Sequence, residues 1–511
     1  RDDVVLSVTS MSFDISVLEL LWPLTRGARV VIAGEKIVRN LVADRDAPAR
    51  ELGLSLFFFA AAADDARRGD GYRLVMEAAR LADALDFEAI WTPERHFHEF
   101  GGLYPNPSVM SAALASVTRR IGLRCGSVVA PLHDVIRVAE EWSLVDNLSH
   151  GRVGLAFASG WNANDFALAP HVYPNRKQHM SEQLDEFLRL WRGESVERIN
   201  GAGEPVALRI FPKPVQAQPP VWLTSAGMID TFERAGASGA NLLTHLLGQD
   251  VDELSRKIAA YRAARARAGH PAAGRVTVMV HTYLDDDEET ARAAARGPFR
   301  EYLRTSTELW RQLFSSMGVD YSDSISREDL DSVLELAVDR YFDRSGLFGS
   351  PESVMPTLRA LSAAGADELA CLVDFGVPTD DALRGVRTIS RLKRLYEAEV
   401  ADAAHAFDAL CTRHGVTLVQ GTPSLMAAIC DQPAALTALR GARALLVGGE
   451  AFPAGIADRL LTALPTTRLF NMYGPTETTI WSAVHELERA AHQRGRLVPI
   501  GRPIANTEIR V

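Results

Sequence analysis

The chain has 511 residues, 47% of them hydrophobic and 23% charged, with a formal net charge of -10. That length exceeds one ordinary core and predicts two domains, while the acidic balance excludes a nucleic-acid binder, which needs a basic stripe. The four cysteines, Cys125, Cys371, Cys411 and Cys430, show no paired spacing, which fits a reducing cytoplasm and argues against structural zinc; the longest apolar run, residues 52–63, is too short to cross a membrane.

In chain order, residues 4–8 read as a strand, 14–24 as a helix capped by Asp14 or Ser16, and 29–33 as a second strand. Residues 35–51 are charged and aperiodic, contain Pro48, and read as a linker. From Leu54 the pattern changes. Predicted strands at 54–60, 89–92, 121–129, 153–158, 221–224, 241–244, 276–283 and 368–374 alternate with helical periodicity. This alternation is the signature of an α/β fold, a (β/α)8 TIM barrel, whose chemistry lies at the C-terminal ends of its strands. A doubly wound open sheet is the competitor, but the chain lacks a Gly-x-Gly-x-x-Gly turn after the first strand. From about Asp402 short strands and helices return. Residues 1–50 and 402–511 therefore read as two parts of one α/β domain, interrupted by a barrel over 51–401. The abrupt start at Arg1 and stop at Val511 give the expectation that both ends are cut from something larger.

Two stretches carry chemistry. Directly after a short apolar run, residues 91–106 gather Glu94, Arg95, His96, His98 and Glu99; titratable groups where a buried strand ends are how a barrel displays an active site. A solvated loop is the competing reading. The run Asn471-Met-Tyr-Gly-Pro-Thr-Glu-Thr-Thr479 sets hydroxyls and a carboxylate after a Gly-Pro turn, offering a phosphate its donors and Mg2+ a hard oxygen ligand.

With Phe13-Asp-Ile-Ser16, Gly421-Thr-Pro-Ser424, Gly448-Gly-Glu450 and Pro499-Ile-Gly-Arg-Pro503, that second run resembles the adenylation domain of nonribosomal peptide synthetases. The resemblance implies an ATP site at Glu450, Asn471, Tyr473 and Thr476, with Tyr473 stacked on adenine, and Mg2+ held by Glu477. It implies that Asp14 pairs with the substrate ammonium, and that Ile15, Leu18, Gln420, Leu446, Gly448, Met472, Ile480 and Trp481 complete a pocket similar to the family's glycine-selecting one. The bulk of Met472, Ile480 and Trp481 leaves little room for a substrate side chain. The family's phosphate loop, ribose-binding Asp and catalytic Lys fall outside these 511 residues, so this stretch is not expected to adenylate by itself.

Thr92-Pro-Glu-Arg-His-Phe-His-Glu-Phe-Gly101, Asp146-Asn-Leu-Ser-His-Gly-Arg-Val153, Phe157-Ala-Ser-Gly-Trp-Asn-Ala-Asn-Asp-Phe166, Gly349-Ser-Pro-Glu352 and Leu372-Val-Asp-Phe375 resemble the bacterial-luciferase-like flavin monooxygenases, above all those inserted in synthetase assembly lines. The resemblance covers residues 54–395. It implies reduced FMN from a separate flavin reductase, and O2. Ser159, Gly160 and Trp161 would lie against the isoalloxazine. Thr224, Ser225, Ala226 and Gly227, between a strand and a helix, would form the phosphate site, with Arg176 in reach. His96 matches a family active-site histidine. Arg95 stands where luciferases often carry a second one, which shifts its expected task from general base to stabilising negative charge. His98 reads as readily as a supporting or solvated residue.

Together these readings predict a monooxygenase that hydroxylates the α-carbon of a glycyl unit on a peptidyl carrier protein, with C–N cleavage to a terminal amide as a further step. The carrier's phosphopantetheine arm, the reductase, the rest of the synthetase and a second copy of the chain are the expected partners, with no nucleic acid and no membrane. A non-oxidative structural insert and an oxygenase acting on a free small molecule are the alternatives.

Overall fold

The computed structural model describes residues 4–7, 29–32, 52–59, 71–98, 102–225, 227–270, 274–305, 327–474, 482–487 and 498–504. The chain divides into two compact units, residues 51–395 and residues 1–50 with 396–511.

The first unit is a closed barrel of eight parallel strands: β1 (Gly53–Phe57), β2 (Ala89–Thr92), β3 (Gly122–Val129), β4 (Val153–Ala158), β5 (Val221–Thr224), β6 (Asn241–His245), β7 (Val276–Leu284) and β8 (Glu368–Leu372). Closure comes from β6 pairing with β7 and β8 with β1, where Glu368 lies opposite Gly53 and Leu372 opposite Phe57. The open-sheet alternative is thereby excluded. β1, β2, β7 and β8 are buried along their whole length. That is why they read as continuous apolar runs instead of alternating.

Around the barrel lie α1 (Arg73–Ala84), α2 (Pro107–Val117), α3 (Val135–Ser149), α4 (Arg176–Trp191), α5 (Ile229–Ala237), α6 (Val251–Arg267), α7 (Glu288–Thr305), α8 (Arg327–Arg344) and α9 (Pro351–Ala363). Local chemistry sets their ends. Asn106 accepts hydrogen bonds from the Ser108 and Val109 N–H groups ahead of a helix that opens on proline, and Asp134 caps α3 through Ile136 N–H. The acidic residues before α7 act the same way: Asp287 accepts the Thr290 N–H at 2.8 Å. Between α4 and β5, Val196–Ile199 and Pro205–Leu208 pair as an antiparallel hairpin.

The barrel floor is closed by a buried charge cluster. Glu368, fully buried, accepts hydrogen bonds from Trp91 Nε1 (3.0 Å), Arg124 Nη1 (2.6 Å), Arg275 Nε (2.9 Å) and Thr277 Oγ1 (3.2 Å), and from Ser55. Burial works against its ionisation, but the Arg124 and Arg275 guanidiniums outweigh that and hold the carboxyl well below the usual range.

The second unit contains a seven-stranded sheet ordered Arg502–Pro503, Ala483–Glu486, Arg468–Tyr473, Ala444–Gly448, Leu418–Gly421, Val4–Ser7, Arg29–Ile32. Val5 pairs with Leu418 in parallel, so the two ends of the sequence share one sheet. The predicted helix at 14–24 and linker at 35–51 lie outside the described residues. α10 (Thr379–His414) runs as one helix of 36 residues, and the two units part within it, at Leu395 and Tyr396, where the sequence reading puts the border near residue 401. Its sequence holds no proline to stop it.

Candidate active site

At the C-terminal end of β2 the chain turns through Glu94–His98. Phe97 adopts a left-handed φ of +54° and is exposed with His98, whereas the residues before it point inward. The Glu94 side chain is only 1% exposed. One carboxylate oxygen accepts the Val129 N–H at 2.7 Å; the other meets Nε2 of His96 at 2.9 Å and Nε2 of His133. Burial opposes its negative charge, yet the two imidazoles and the Val129 amide overcome this and hold it below the usual carboxylate value. The same contact raises His133 against the effect of burial on its cationic form.

Arg95 points another way. Its Nη1 lies 3.4 Å from Asp165 Oδ2, and its guanidinium stacks 4.6 Å over the Trp161 ring. Burial lowers Arg95 and raises Asp165, while their mutual attraction opposes both shifts. The pair is a fixed electrostatic wall, reinforced by a cation–π contact.

Beside this rim lies a cavity of about 790 Å³, lined by Ser159, Gly160 and Trp161 after β4 and by Thr224, Ser225 and Gly227 after β5. Two groups of three residues, more than sixty apart in sequence, thus face one space. Gly160 has a φ of +75°, and a Cβ there would sit 2.7 Å from the Phe166 ring and 2.8 Å from Val129, so only glycine fits. The Ser225 hydroxyl is buried with no hydrogen-bond partner among the described residues, and α5 begins after it without a side-chain cap among them. Lys257, 7% exposed, lines the same cavity and donates to Gln249 Oε1 (3.0 Å) and Glu253 Oε1 (2.6 Å). An orphan hydroxyl, an uncapped helix start and a buried ammonium suit an anionic group such as a phosphate.

Of the other expected residues, Arg176 donates from Nε to the Gly160 carbonyl (3.0 Å) and from Nη1 to the Tyr173 carbonyl (3.0 Å), bracing the Gly160 turn. Ala226 lies outside the described residues. His133, Asp165 and Lys257 escaped the sequence reading. His133 could have been found from its place just past β3, at the active end of the barrel; nothing local marks Lys257 as buried.

In the second unit, Gln420 lies opposite Leu446, and Gly448 opposite Met472, on adjacent parallel strands. Because alternate residues share a sheet face, these four expected pocket residues lie on one side. Asn471 is buried, its amide donating to the Val498 and Pro499 carbonyls at 3.3 and 2.9 Å. Tyr473 is 42% exposed, and Glu450, also exposed, accepts from Ser424 Oγ. Asp14, Ile15, Leu18, Thr476, Glu477, Ile480 and Trp481 lie outside the described residues.

Comparison with known proteins gives two family matches: luciferase-like monooxygenase over residues 51–368, and AMP-binding enzyme over residues 395–511. The oxygenase component of flavin-dependent trigonelline monooxygenase from Acinetobacter baylyi is 24% identical over 346 residues, 66% of this chain and 92% of that protein. A dimodular nonribosomal peptide synthase of Bacillus subtilis is 32% identical over 183 residues, 33% of this chain but only 7% of the synthase. Among solved structures, the oxygenating constituent of 3,6-diketocamphane monooxygenase from Pseudomonas putida, in complex with FMN, superposes with a TM-score of 0.55 at 18% identity, covering 66% of this chain and 97% of that one.

Proposed function

The chain belongs to the luciferase-like monooxygenase family, and on that premise we propose that its barrel binds reduced FMN and uses dioxygen to hydroxylate the α-carbon of a glycyl unit tethered to a peptidyl carrier protein. The observation that carries the flavin reading is the cavity joining the Ser159–Trp161 turn, the orphan Ser225 hydroxyl and buried Lys257. Ser225, the backbone at Gly227 and Lys257 would hold the phosphate, while Gly160 and Trp161 would bound the ring system. The bound flavin supplies the electrons and the activation of dioxygen, which no side chain can. Arg95, held by Asp165, stacks on Trp161, which lines the cavity; its guanidinium would stabilise negative charge developing on oxygen. Glu94 orients His96 and fixes where its proton can go.

The AMP-binding part of the chain supports the choice of substrate. The shared face of Gln420, Leu446, Gly448 and Met472, with Asp14, Ile15, Leu18, Ile480 and Trp481 added by resemblance, suits glycine. Tyr473, Thr476, Glu450 and Asn471 would serve ATP, and Glu477 Mg2+. The domain plan proposed is 1–50 and 402–511 as one adenylation-type domain, with 51–401 as the oxygenase. Where the glycyl nitrogen carries an upstream acyl chain, the hydroxylated α-carbon can then release that nitrogen as the chain's terminal amide, its hydroxyl becoming the aldehyde of a glyoxylyl group that stays on the carrier. Carrier protein, flavin reductase and the remaining synthetase are the proposed partners, and the cytoplasm the proposed compartment. No helix among the described residues is long and apolar enough to cross a membrane.

Intact-mass analysis of glycyl-loaded carrier protein, incubated with the chain, reduced FMN and labelled dioxygen, tests this reading. One labelled oxygen on the glycyl unit is the expected result. Oxidation of free glycine alone moves the substrate off the carrier, and a chain that neither binds nor oxidises reduced FMN overturns the oxygenase assignment.

A further inference from the structure

Glu94 ties two imidazoles that differ in exposure. Its Oε2 is fixed by the Val129 amide, so Oε1 alone faces Nε2 of both His96 and His133. The His96 ring is 12% exposed and the His133 ring 33%. Of the two imidazoles, His133 has more contact with solvent. Its backbone is pinned, since Gln183 Nε2 on α4 donates to its carbonyl at 2.8 Å. The two rings, 6.4 Å apart, are bridged by a carboxylate that can take a proton from one and pass it to the other.

The proposed reaction needs such a path. Inserting one atom of dioxygen into a C–H bond, with reduced flavin anion as two-electron donor, releases the other atom as water and consumes one proton from solvent. Neighbouring groups are poorly suited to deliver it. Arg95 is held by Asp165 and Trp161, His98 is exposed beyond the turn, and burial pushes the Cys125 thiol up to about 12.

We propose that His133 is the solvent-side end of a proton path running through Glu94 to His96, and thus a positioning residue for the oxygenation. The proposal rests on the flavin reading above. A proton leaves His133 Nε2 for Glu94 Oε1 and continues to His96 Nε2, while His96 gives up its Nδ1 proton to the reaction; His133 regains one from water, and Glu94 ends ionised as it began. The charged groups near this path are Arg95 and Asp165, the latter coupled to both Glu94 and His96, and Glu141 of α3 near His133.

Two measurements test it. In the flavin-free chain with 15N-labelled histidine, NMR titration of His133 is expected to show protonation persisting to higher pH than for an ordinary imidazole, and Glu94→Gln is expected to abolish the difference; an unchanged titration overturns the link. With reduced FMN and the loaded carrier, His133→Gln keeps a hydrogen-bond donor but cannot relay a proton. Its flavin Kd should stay within about twofold, while product per dioxygen consumed should fall about tenfold or more, hydrogen peroxide taking its place. Added imidazole should partly restore product in His133→Ala. Wild-type coupling in His133→Gln, or no effect of imidazole, would reduce His133 to a structural tie. Because the NMR arm needs no flavin, failure of FMN to bind sinks the proposed function and leaves the link decided on its own terms.

Discussion

Two carboxylates are buried at opposite ends of the same barrel, and their negative charges are balanced by different chemistry. At the floor, Glu368 faces the Arg124 and Arg275 guanidiniums, which stay charged at every physiological pH. At the rim, Glu94 faces the His96 and His133 imidazoles, the side chains whose charge changes most readily between about pH 5 and 8. The Glu368–arginine contacts are therefore a lock of constant charge, while the charge at the rim can change with pH through its imidazoles.

The largest effect should come from breaking the lock. Glu368→Gln leaves two guanidiniums without their shared partner and should cost about 3–5 kcal/mol, read as a fall in Tm. Glu94→Gln should cost less than half as much, because its imidazoles can become neutral. Equal losses would erase the distinction.

At the cavity, Lys257→Met should weaken FMN binding about tenfold to a hundredfold, the loss of one charge-assisted contact to a phosphate, and leave riboflavin binding unchanged in fluorescence titrations. An equal loss for riboflavin would move the phosphate elsewhere. Gly160→Ala should destabilise the barrel by about 1–3 kcal/mol, since it combines a positive φ with contact against Phe166; a neutral result in denaturant melts would mean that the turn can relax.

The smallest effect is also the sharpest test of the comparison. Glu94 is held below its usual 4.5, so its contribution is complete above that pH and lost as pH falls through the lower folded value. His133 is raised above its usual 6.5, so its contribution is complete below that pH and lost as pH rises through the higher folded value. The rim pair should therefore stabilise most between about pH 4.5 and 6.5. The difference in stability between wild type and Glu94→Gln should shrink as pH rises above the usual 6.5 of His133 and through its higher folded value, whereas the Glu368→Gln difference should stay level. A level difference for both would show that the rim pair does not titrate.

Most of the barrel was legible because fully buried parallel strands are written as short apolar runs with helical periodicity between them. The Glu94–His96 cluster was visible for a related reason, since it follows β2 without interruption. His133 and Lys257 were not, because their roles depend on which distant carboxylate or turn the closed barrel brings to them. Arg176 shows the converse. Its charge suggested a ligand contact, whereas its bonds to the Gly160 and Tyr173 carbonyls, which brace the turn, had no signal in the sequence. The continuity of α10 was missed because the change in texture near residue 402 reflects a change of surroundings, which backbone conformation does not follow.

The pairing of Val5 with Leu418 also imposes a timetable. At about 5–20 residues per second of synthesis, the first strand waits roughly 20–80 seconds for its neighbour to be made. During that interval Val4–Ser7 can pair with Arg29–Ile32, but the edge that Leu418–Gly421 later takes stays open. A barrel that folds early turns some 340 intervening residues from a long flexible loop into a compact body, lowering the entropy lost when the sheet finally closes. Slowing barrel folding should therefore leave the flanking sheet as the part of the nascent chain most dependent on chaperones.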